Sequence, residues 1–592
     1  MCGIIGYTGR REAQGLIVAA LKRLEYRGYD SAGVAVGDEK ISLYKDKGEI
    51  AQIERVMPMF RGRWGIGHTR WATHGKPSKN NAHPFFDCKR EIVLAHNGII
   101  ENFVKLKEEL MRRGHVFTSE TDTEVIVHLV EEAYEGSLEE AARKAVKAIE
   151  GSFALVMMHS AEPGKLVGMR KESPLIIGLG DGENLLASDI PALLEHTEKV
   201  ITLHDGDVAV IAPGEVRITD PEGREVKRSI QRITFTLEDA ERGGYPHFML
   251  KEIFEQPRAL HDTLVGRLVD TEPYYGGAEG VRLIACGTSY HAAMVGKYII
   301  ESIARMPARV DIASEYRYST PSGERPLTVL ITQSGETADT LAAAKEARRR
   351  GCMTLGITNV LGSSITREVH EVIYTRSGIE IGVAATKTYI TQLAALYLLA
   401  IRLGQRRTLH PDTLMHLVQA LRGLPQVAQG VLNTAEGIEG IAKEISHAQT
   451  MFFIGRHTNY PVALEGALKM KEISYIHAEG YPAGELKHGP LALLTPETPV
   501  VAIVVPDHTY EKMLSNIGEV SARGAPVIGV CLEGDDKTEK YVDYVLRVPK
   551  VSPIFSPVPV SVALQLLAYY AARERGCEID KPRHLAKSVT VE

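Results

Sequence analysis

The sequence predicts an α+β first half followed by two copies of a doubly wound α/β unit. In the first half, short strands such as Gly3–Tyr7 alternate with turns and a few amphipathic helices. From Met249 onward, apolar β-branched runs alternate with helical stretches, which is typical of a parallel sheet covered on both faces. The second half also repeats itself, since Glu346–Ile357 matches Glu519–Val530 in its Glu, Arg and Gly residues.

The same patterns place the individual elements and the boundaries. Strands are predicted at Gly3–Tyr7, Ala32–Val36, Glu91–His96, Arg282–Ala285, Thr328–Thr332, Thr354–Thr358, Met451–Ile454, Val500–Val505 and Val527–Cys531. The predicted segments are a first domain at 2–218, a linker at 219–248, the two α/β units at 272–412 and 442–582, and a tail at 583–592. Within the linker, the charged stretch Leu237–Gly244 is predicted to be a linker or a linking helix.

Length and charge exclude several classes of protein. A chain of 592 residues is too long for one hydrophobic core, so two or three domains are expected. Lys and Arg total 69 against 75 Asp and Glu, a formal net charge of −6, which argues against nucleic-acid binding. The chain has no apolar run that could span a bilayer and no secretory signal pattern at its start. We therefore expect a cytoplasmic protein that binds neither nucleic acid nor membrane.

The cysteines are scattered along the chain. They are Cys2, Cys88, Cys286, Cys352, Cys531 and Cys577, and no two of them form a C-x-x-C pair. This spacing argues against a disulfide framework and against a zinc site. The sequence therefore predicts no metal.

Cys2 has the position of a catalytic nucleophile. Removal of Met1 would leave a free α-amino group on Cys2, next to its thiol. An α-amine titrates near pH ~7.7 and can act as a general base for the thiol, whose thiolate is the nucleophilic form. Nucleophile and base could then share one residue.

Five motifs in the first half extend this interpretation. They are Cys2–Gly6, Leu24–Gly33, Gly67–Gly75, Ala95–Asn102 and Ser119–Glu124. In this order they resemble the class II glutamine amidotransferases, which have the N-terminal-nucleophile hydrolase fold. The resemblance implies that Cys2 attacks the glutamine amide.

The resemblance also assigns roles within the glutamine site. The Asn97 side chain and the Gly98 backbone N–H would stabilise the oxyanion, since donors aimed at it stabilise the transition state by ~3 kcal/mol each. Arg70 would bind the α-carboxylate of glutamine and Asp122 its α-ammonium group. The pocket would be lined by Thr73 and His74, and Trp71 resembles the residue that gates an internal ammonia passage.

Two loops of the second half have the pattern of a phosphate site. Ala285–Tyr290 and Ile331–Thr337 each end an apolar strand and lead into a helix. Hydroxyls and backbone N–H groups at such a place suit a phosphate monoester, although helix capping alone would also explain the Ser and Thr residues. The loops resemble the sugar-isomerase domain, which binds phosphosugars. The residues implied for the phosphate are Thr332, Gln333, Ser334 and Thr337, and those implied for the sugar are Ser289 and the backbone at Val383.

A charged row interrupts an otherwise apolar helix in the second α/β unit. Asn459 and Pro461 fit its N-cap and first turn. Glu465, Lys469 and Glu472 then fall on one face at i, i+4 and i+7. Such a trio is ordinarily a solvated stripe, but the neighbouring positions are nearly all apolar. Buried charges of this kind call for partners or for a catalytic task.

With Gly484–Pro490 and the end Pro582–Glu592, the whole chain resembles the isomerising phosphosugar aminotransferases. These take ammonia from glutamine and place it on fructose 6-phosphate, and they need neither metal nor other cofactor. The resemblance implies that His488, steered by Glu465 and contributed by the neighbouring subunit of a homodimer, opens the sugar ring. Lys587 would form a Schiff base at C2. Glu472 would move the proton between C1 and C2, with Lys469 assisting.

Two other functions share some of these features. Another glutaminase-coupled enzyme, for phosphoribosylamine or asparagine synthesis, should carry a pyrophosphate loop after residue 245, and the sequence shows none. A phosphosugar sensor would usually carry a helix-turn-helix domain, and it would not need Cys2, Glu472 and Lys587.

Overall fold

The computed structural model describes residues 2–233, 241–267, 278, 280–320, 323–405 and 409–590. It divides into two compact units. Unit 1 comprises residues 1–241 together with 336–338 and 586–592, and unit 2 comprises 242–335 and 339–585. Half of the predicted linking segment Leu237–Gly244, residues 237–240, lies outside the described residues. Within the described part of the chain, no helix combines the length and apolarity that crossing a bilayer requires.

Unit 1 is built from short strands and five α-helices in its described part. The strands are β1 (Gly3–Thr8), β2 (Ser31–Gly37), β3 (Ile41–Lys47), β4 (Trp64–Arg70), β5 (Phe85–Phe86), β6 (Ile92–Ile100), β7 (Gly151–His159), β8 (Leu166–Lys171), β9 (Ile176–Leu179), β10 (Asn184–Ala187), β11 (Lys199–Thr202), β12 (Val208–Ala212), β13 (Glu215–Thr219) and β14 (Gln231–Arg232). The helices are α1 (Ala13–Leu24), α2 (Ile50–Glu54), α3 (Phe103–Arg112), α4 (Glu124–Ala133) and α5 (Leu138–Ala145).

These elements form a four-layer sandwich. One sheet has the strand order β14-β11-β9-β10-β1-β4-β2-β3, and the other has the order β13-β12-β8-β7-β6-β5. Apolar side chains from both sheets, such as Ile66 and Val156, fill the space between them. Helix α1 covers the outer face of the first sheet, and α3, α4 and α5 cover the outer face of the second. Strand β1 is paired on both edges, with β10 and β4, so the start of the chain is held inside the sheet.

Unit 2 alternates strands with longer helices. Its strands are β15 (Val281–Ala285), β16 (Ala308–Ile312), β17 (Leu327–Ile331), β18 (Thr354–Thr358), β19 (Glu371–Tyr374), β20 (Thr450–Gly455), β21 (His477–Pro482), β22 (Val500–Val504), β23 (Val527–Leu532) and β24 (Tyr544–Val548). Its helices are α6 (Phe248–Phe254), α7 (Gln256–Leu264), α8 (Gly287–Ile303), α9 (Ala313–Tyr316), α10 (Ala338–Arg349), α11 (Ile365–Glu368), α12 (Lys387–Gln405), α13 (Pro411–Leu432), α14 (Ala435–Ile445), α15 (Asn459–Ser474), α16 (Tyr510–Ser521) and α17 (Pro557–Glu574).

The two five-stranded sheets of unit 2 have the same topology. Their orders are β16-β15-β17-β18-β19 and β21-β20-β22-β23-β24, and all strands within each are parallel. One large core contacts the inner faces of both sheets and includes α8, α12, α15 and α17. Smaller cores with α10 and α16 cover the outer faces. The predicted fold class, an α+β domain followed by two doubly wound units, is confirmed.

The structure corrects details at helix starts. Helix α8 begins at Gly287, inside the loop Ala285–Tyr290 that was expected to precede the helix. Helix α15 begins at Asn459 itself, so Asn459 is not the N-cap residue that the sequence indicated. Its side chain instead accepts a hydrogen bond from the hydroxyl of Ser556 at 3.3 Å. The cause is a tertiary contact: Ser556, far away in the chain, competes for the Asn459 side chain that would otherwise cap the helix.

Close packing of α15 generates a stability prediction. A side chain at Gly466 would meet Leu564 of α17 at 2.8 Å and Phe453 of β20 at 3.0 Å. We expect Gly466→Val to lower the free energy of unfolding of unit 2 by about 1–3 kcal/mol through overpacking. The matched control is Gly437→Ala on α14, where nothing lies within 4 Å, and this change should be neutral or stabilising. Urea denaturation followed by circular dichroism measures both, and equal stability of the two variants would contradict the packing argument.

Candidate active sites

The sulfur of Cys2 lies at the start of β1, against the chain that follows β4. The Trp71 N–H donates to Cys2 Sγ at 3.2 Å, and the thiol faces the Trp71 carbonyl at 3.5 Å. Burial raises the pKa of the Cys2 thiol above its ordinary value, while the Trp71 N–H works in the opposite direction. The thiol therefore needs a nearby base to become a nucleophile at neutral pH.

Asn97 is held beside Cys2 by a histidine. Its Nδ2 donates to the carbonyl oxygen of Cys2 at 2.9 Å, and its Oδ1 lies 3.1 Å from Nε2 of His68. Burial lowers the pKa of His68 to about 3, so the ring is neutral and donates from Nε2 to Asn97 and to the His96 carbonyl. This contact turns the NH₂ group of Asn97 toward Cys2.

Gly98 follows in a backbone conformation that favours glycine. Its φ is +128°, and a Cβ there would lie 2.0 Å from the carbonyl oxygen of Ser152 on β7. Only glycine therefore fits without moving the β6–β7 pairing. The sequence motif predicted the residue, and the close approach of the neighbouring strand explains why it is glycine.

The residues predicted to bind glutamine meet around β4 and α4. Arg70 is buried, and its Nη2 donates to the carbonyls of His74 and Gly75. Its Nη1 is buried with no hydrogen-bond partner among the described residues. Asp122 accepts from the Ile100 N–H at 2.9 Å, and its carboxylate lies 4.0 Å from Nδ1 of His74. A buried unpaired guanidinium nitrogen is what a bound carboxylate would satisfy.

The remaining two predicted residues lie in the loop after β4. Thr73 is exposed, and the ring of Trp71 packs edge-on against Tyr29 at 5.6 Å between centroids. Sequence reasoning assigned no role to Arg27 or His68, although both lie inside motifs that it singled out. Arg27 donates to the Cys2 carbonyl at 3.4 Å. The motifs that contain Arg27 and His68 were the only sequence feature that pointed to them. Which atoms they contact depends on the fold.

In unit 2, the predicted phosphate loop follows β17. The Thr332 hydroxyl accepts from the Gly335 N–H at 3.2 Å, and the Gln333 carbonyl accepts from the Asn359 N–H at 3.1 Å. Gln333 and Ser334 are partly exposed. The loop is therefore pinned at its base while side chains further along it reach solvent.

The predicted sugar residues lie on other segments of the same unit. Ser289, in the first turn of α8, accepts a hydrogen bond from the Gln392 side chain of α12 at 2.9 Å. The Val383 N–H donates to the Asp580 carbonyl at 3.1 Å. The carboxylate of Asp580 in turn accepts from the N–H groups of Phe248 and Met249, both at 3.0 Å. The segment at Val383 is thus fixed by the chain just before the tail.

The predicted row on α15 is buried and connected. Lys469 Nζ lies 2.6 Å from Glu472 Oε2 and 3.5 Å from Glu465 Oε1. The side chains of Lys469 and Glu465 are 1% and 2% exposed, and that of Glu472 is 19% exposed. Glu472 is therefore the member of the row that a ligand could reach.

Two residues of α8 complete this row. The Thr288 hydroxyl accepts from Lys469 Nζ at 3.1 Å and donates to Glu465 at 3.1 Å, and Nδ1 of His291 lies 2.8 Å from Glu465 Oε2. Sequence reasoning missed both, although they lie in or beside the motif Ala285–Tyr290. Among the described residues, Glu465 contacts His291 and not His488, which is exposed at the end of a short 3-10 helix.

Electrostatics fix the charge of Lys469. Burial lowers its pKa, but the carboxylates of Glu472 and Glu465 outweigh burial and raise the pKa above the ordinary 10.5. Lys469 is therefore an ammonium ion at neutral pH and is not a nucleophilic amine. This argues against Lys469 as the lysine that forms an imine.

The described part of the tail after Leu585, residues 586–590, packs within unit 1. Ser588 and Thr590 are buried, and the Val589 carbonyl accepts from the N–H of Ala338, the first residue of α10, at 3.0 Å. Lys587 is partly exposed. The described part of the tail is thus held by contacts within unit 1.

Comparisons with known proteins identify both halves of the chain. A glutamine amidotransferase domain matches residues 68–195, and the SIS domain matches twice, at 278–402 and 444–575. The chain is 52% identical to the isomerizing glutamine–fructose-6-phosphate aminotransferase of Methanosarcina acetivorans, with all of both chains covered. The enzymes of the same name from Aquifex aeolicus and Thermus thermophilus are each 49% identical, again over both full chains.

This chain belongs to the isomerizing glutamine–fructose-6-phosphate aminotransferase family. A solved structure agrees, the C-terminal domain of glucosamine-fructose-6-phosphate aminotransferase from Francisella tularensis. It is 39% identical with a TM-score of 0.56, and it covers 58% of this chain and all of that one. The two SIS matches also confirm the internal repeat of this aminotransferase family member.

The buried row predicts a pH-dependent loss of stability. Lys469→Met leaves Glu465 and Glu472 without their cation, which should lower the free energy of unfolding of unit 2 by about 3 kcal/mol at pH 8. The wild-type pKa of Lys469 lies above 10.5, so its contribution is constant between pH 5 and 8. In the variant, a buried carboxyl takes up a proton as pH falls, and the loss should shrink toward pH 5.

The matched control for this experiment is Lys471→Met, on the exposed side of α15. It should change stability by less than about 0.5 kcal/mol at either pH. Urea denaturation at pH 5 and pH 8 measures all three proteins. If Lys469→Met changes the free energy of unfolding only slightly, or equally at both pH values, then Lys469 does not stabilise the two carboxylates.

Proposed function

We propose that this chain converts fructose 6-phosphate and L-glutamine to glucosamine 6-phosphate and L-glutamate. The observation that carries the proposal is the buried row of Glu465, Lys469 and Glu472, in a unit that follows a glutamine amidotransferase domain. A carboxylate held beside a permanently charged ammonium group is suited to moving protons on a sugar without a metal. The reaction is the first step toward UDP-N-acetylglucosamine.

The first half-reaction releases ammonia. The Cys2 thiolate attacks the amide carbon of glutamine, and its proton goes to the α-amine of the same residue once Met1 is removed. Asn97 Nδ2 and the Gly98 N–H bind the oxyanion that forms. The C–N bond then breaks, ammonia leaves, and water hydrolyses the thioester to glutamate. Arg70 and Asp122 hold the α-carboxylate and α-ammonium groups, and Thr73 and His74 line the pocket.

The second half-reaction begins with sugar binding. Thr332, Gln333, Ser334 and Thr337 bind the phosphate together with the N-terminus of α10, while Ser289 and the Val383 backbone bind the sugar hydroxyls. His488 of a partner subunit opens the ring. For Glu465 to steer His488, the 2.8 Å contact between Glu465 and His291 would have to rearrange or be shared.

The chemistry then proceeds at C2 and C1. The Lys587 amine condenses with the C2 carbonyl and releases water, and ammonia displaces Lys587 to leave an imine at C2. Glu472 takes a proton from C1 and returns it to C2, which converts the ketose imine to an aldose amine. Lys469 stays protonated and supports the charge that develops on the sugar.

The remaining proposals are a homodimer, Trp71 as the gate for ammonia, and a cytoplasmic location.

Cys2→Ala tests the first half-reaction. It should abolish release of glutamate from glutamine, because the variant lacks the attacking sulfur. Isomerisation of fructose 6-phosphate should remain measurable. Cys577→Ala is the matched control and should keep both activities. Glutamate release by Cys2→Ala at the wild-type rate would exclude Cys2 as the nucleophile.

Lys587→Arg tests the second half-reaction. Borohydride reduction with fructose 6-phosphate should fix the sugar covalently to the wild-type protein, on the peptide that contains Lys587. The arginine variant keeps the charge but should lose both the adduct and amination, since guanidinium does not form a Schiff base. Lys487→Arg serves as the control. An adduct on Lys469 or Lys487, or amination that persists in Lys587→Arg, would refute the role of the tail.

A further inference from the structure

Four potential metal ligands converge in unit 1, outside the residues assigned to the glutamine site. Cys88 lies in the loop between β5 and β6, His115 follows α3, and His128 and Glu131 are on α4, one turn apart. One ligand atom from each residue lies within 4.8 Å of all the others. The scattered cysteines predicted no zinc site, yet the fold brings one of them to two histidines and a carboxylate.

Four of the six distances among the ligand atoms match those of a tetrahedral zinc site. Cys88 Sγ lies 3.6 Å from Nδ1 of both His115 and His128, and Glu131 Oε2 lies 3.2 Å and 3.3 Å from the same two nitrogens. Zinc bonds of ~2.3 Å to sulfur and ~2.0–2.1 Å to nitrogen and oxygen at tetrahedral angles place sulfur and nitrogen ~3.6 Å apart and nitrogen and oxygen ~3.3 Å apart. We propose that Cys88, His115, His128 and Glu131 bind one structural zinc ion.

The surroundings support ligation through the Nδ1 atoms. Nε2 of His115 lies 3.3 Å from Glu132 Oε1, and a carboxylate on the outer nitrogen of a histidine leaves the inner one free for metal. The Cys88 N–H donates to Glu131 Oε2 at 3.1 Å, which orients that oxygen. His128 is 1% exposed and packs against Phe117 with 4.7 Å between ring centroids.

Charge and donor type select the metal. Binding deprotonates the Cys88 thiol and releases its proton to solvent, so one thiolate and one carboxylate neutralise a divalent ion. A thiolate with two imidazoles in a tetrahedron favours zinc over magnesium or calcium, which prefer oxygen ligands. Four protein ligands leave no open position, so the site is structural and not catalytic.

The zinc would join two segments that carry the glutamine site. Cys88 lies four residues before β6, which contains Asn97 and Gly98, and α4 begins two residues after Asp122. A metal bound to both segments would fix the oxyanion donors relative to the carboxylate that holds glutamine. We therefore expect its loss to weaken glutamine binding and unit 1 stability, while Cys2 chemistry persists.

Metal analysis tests the proposal on the full-length chain, purified without a polyhistidine tag and without chelator. Plasma mass spectrometry should find about one zinc per chain in the wild type and less than about a tenth of that in Cys88→Ala. Glu131→Gln should bind zinc more weakly and lose it to a chelator first. Cys577→Ala, which removes a cysteine remote in sequence, should keep the wild-type content.

Cobalt substitution gives a second readout that needs no variant. Wild-type protein loaded with Co²⁺ should show the intense visible bands of a tetrahedral ion and a thiolate charge-transfer band, and Cys88→Ala should lack the latter. Removal of zinc should lower the unfolding midpoint of unit 1, which Trp64 and Trp71 report selectively because they are the only tryptophans. A wild-type protein without zinc that also fails to bind Co²⁺ would overturn the proposal, as would stoichiometric binding of another metal instead.

Discussion

The ammonium group of Lys469, buried between two carboxylates, is the constraint on which the second unit depends. An isolated ion in such a place would cost several kcal/mol, so the charge is retained only with its partners in contact. Helix α15 is apolar on nearly every other side and lies at the centre of the core shared by both sheets. Any movement of Glu465, Lys469 or Glu472 would therefore require the surrounding core to repack. Its rigidity places Glu472, the partly exposed member, in a fixed position.

The first unit meets a comparable constraint by different means. A nucleophile at the start of a chain would normally fray. Here Cys2 precedes a strand that is hydrogen-bonded on both edges, and its sulfur and carbonyl contact Trp71, Asn97 and Arg27. Position in a central strand thus anchors Cys2, as flanking residues on both sides would anchor a mid-chain residue.

The sequence predicted the fold class and proposed residues for both sites, and the reason differs between the two. Apolar strands separated by helices dictate a covered parallel sheet, so unit 2 followed from pattern alone. Cys2 and the row on α15 were identified because their residue types are unusual for their positions. Sequence reasoning did not identify His291, Thr288 or His68. Polar residues of these types are common, and they become part of a site only through the partners that the fold brings to them.

The convergence of Cys88 with His115, His128 and Glu131 shows the same limit more clearly. The rule that scattered cysteines do not bind metal concerns spacing along the chain, whereas ligation depends on spacing in three dimensions. The only local trace is the pair His128 and Glu131, three residues apart on a helix and so on one face. Nothing in the sequence indicates that a loop before β6 ends beside that face.

The most direct test of the account is transfer of labelled nitrogen. Glutamine carrying ¹⁵N in its side-chain amide is incubated with fructose 6-phosphate and the purified chain, without added cofactor, and the products are analysed by mass spectrometry. The account predicts glucosamine 6-phosphate with the label on C2 and one glutamate for each molecule formed. Glutamate without any amino sugar, or an amino sugar whose nitrogen comes only from solvent ammonia, would contradict it.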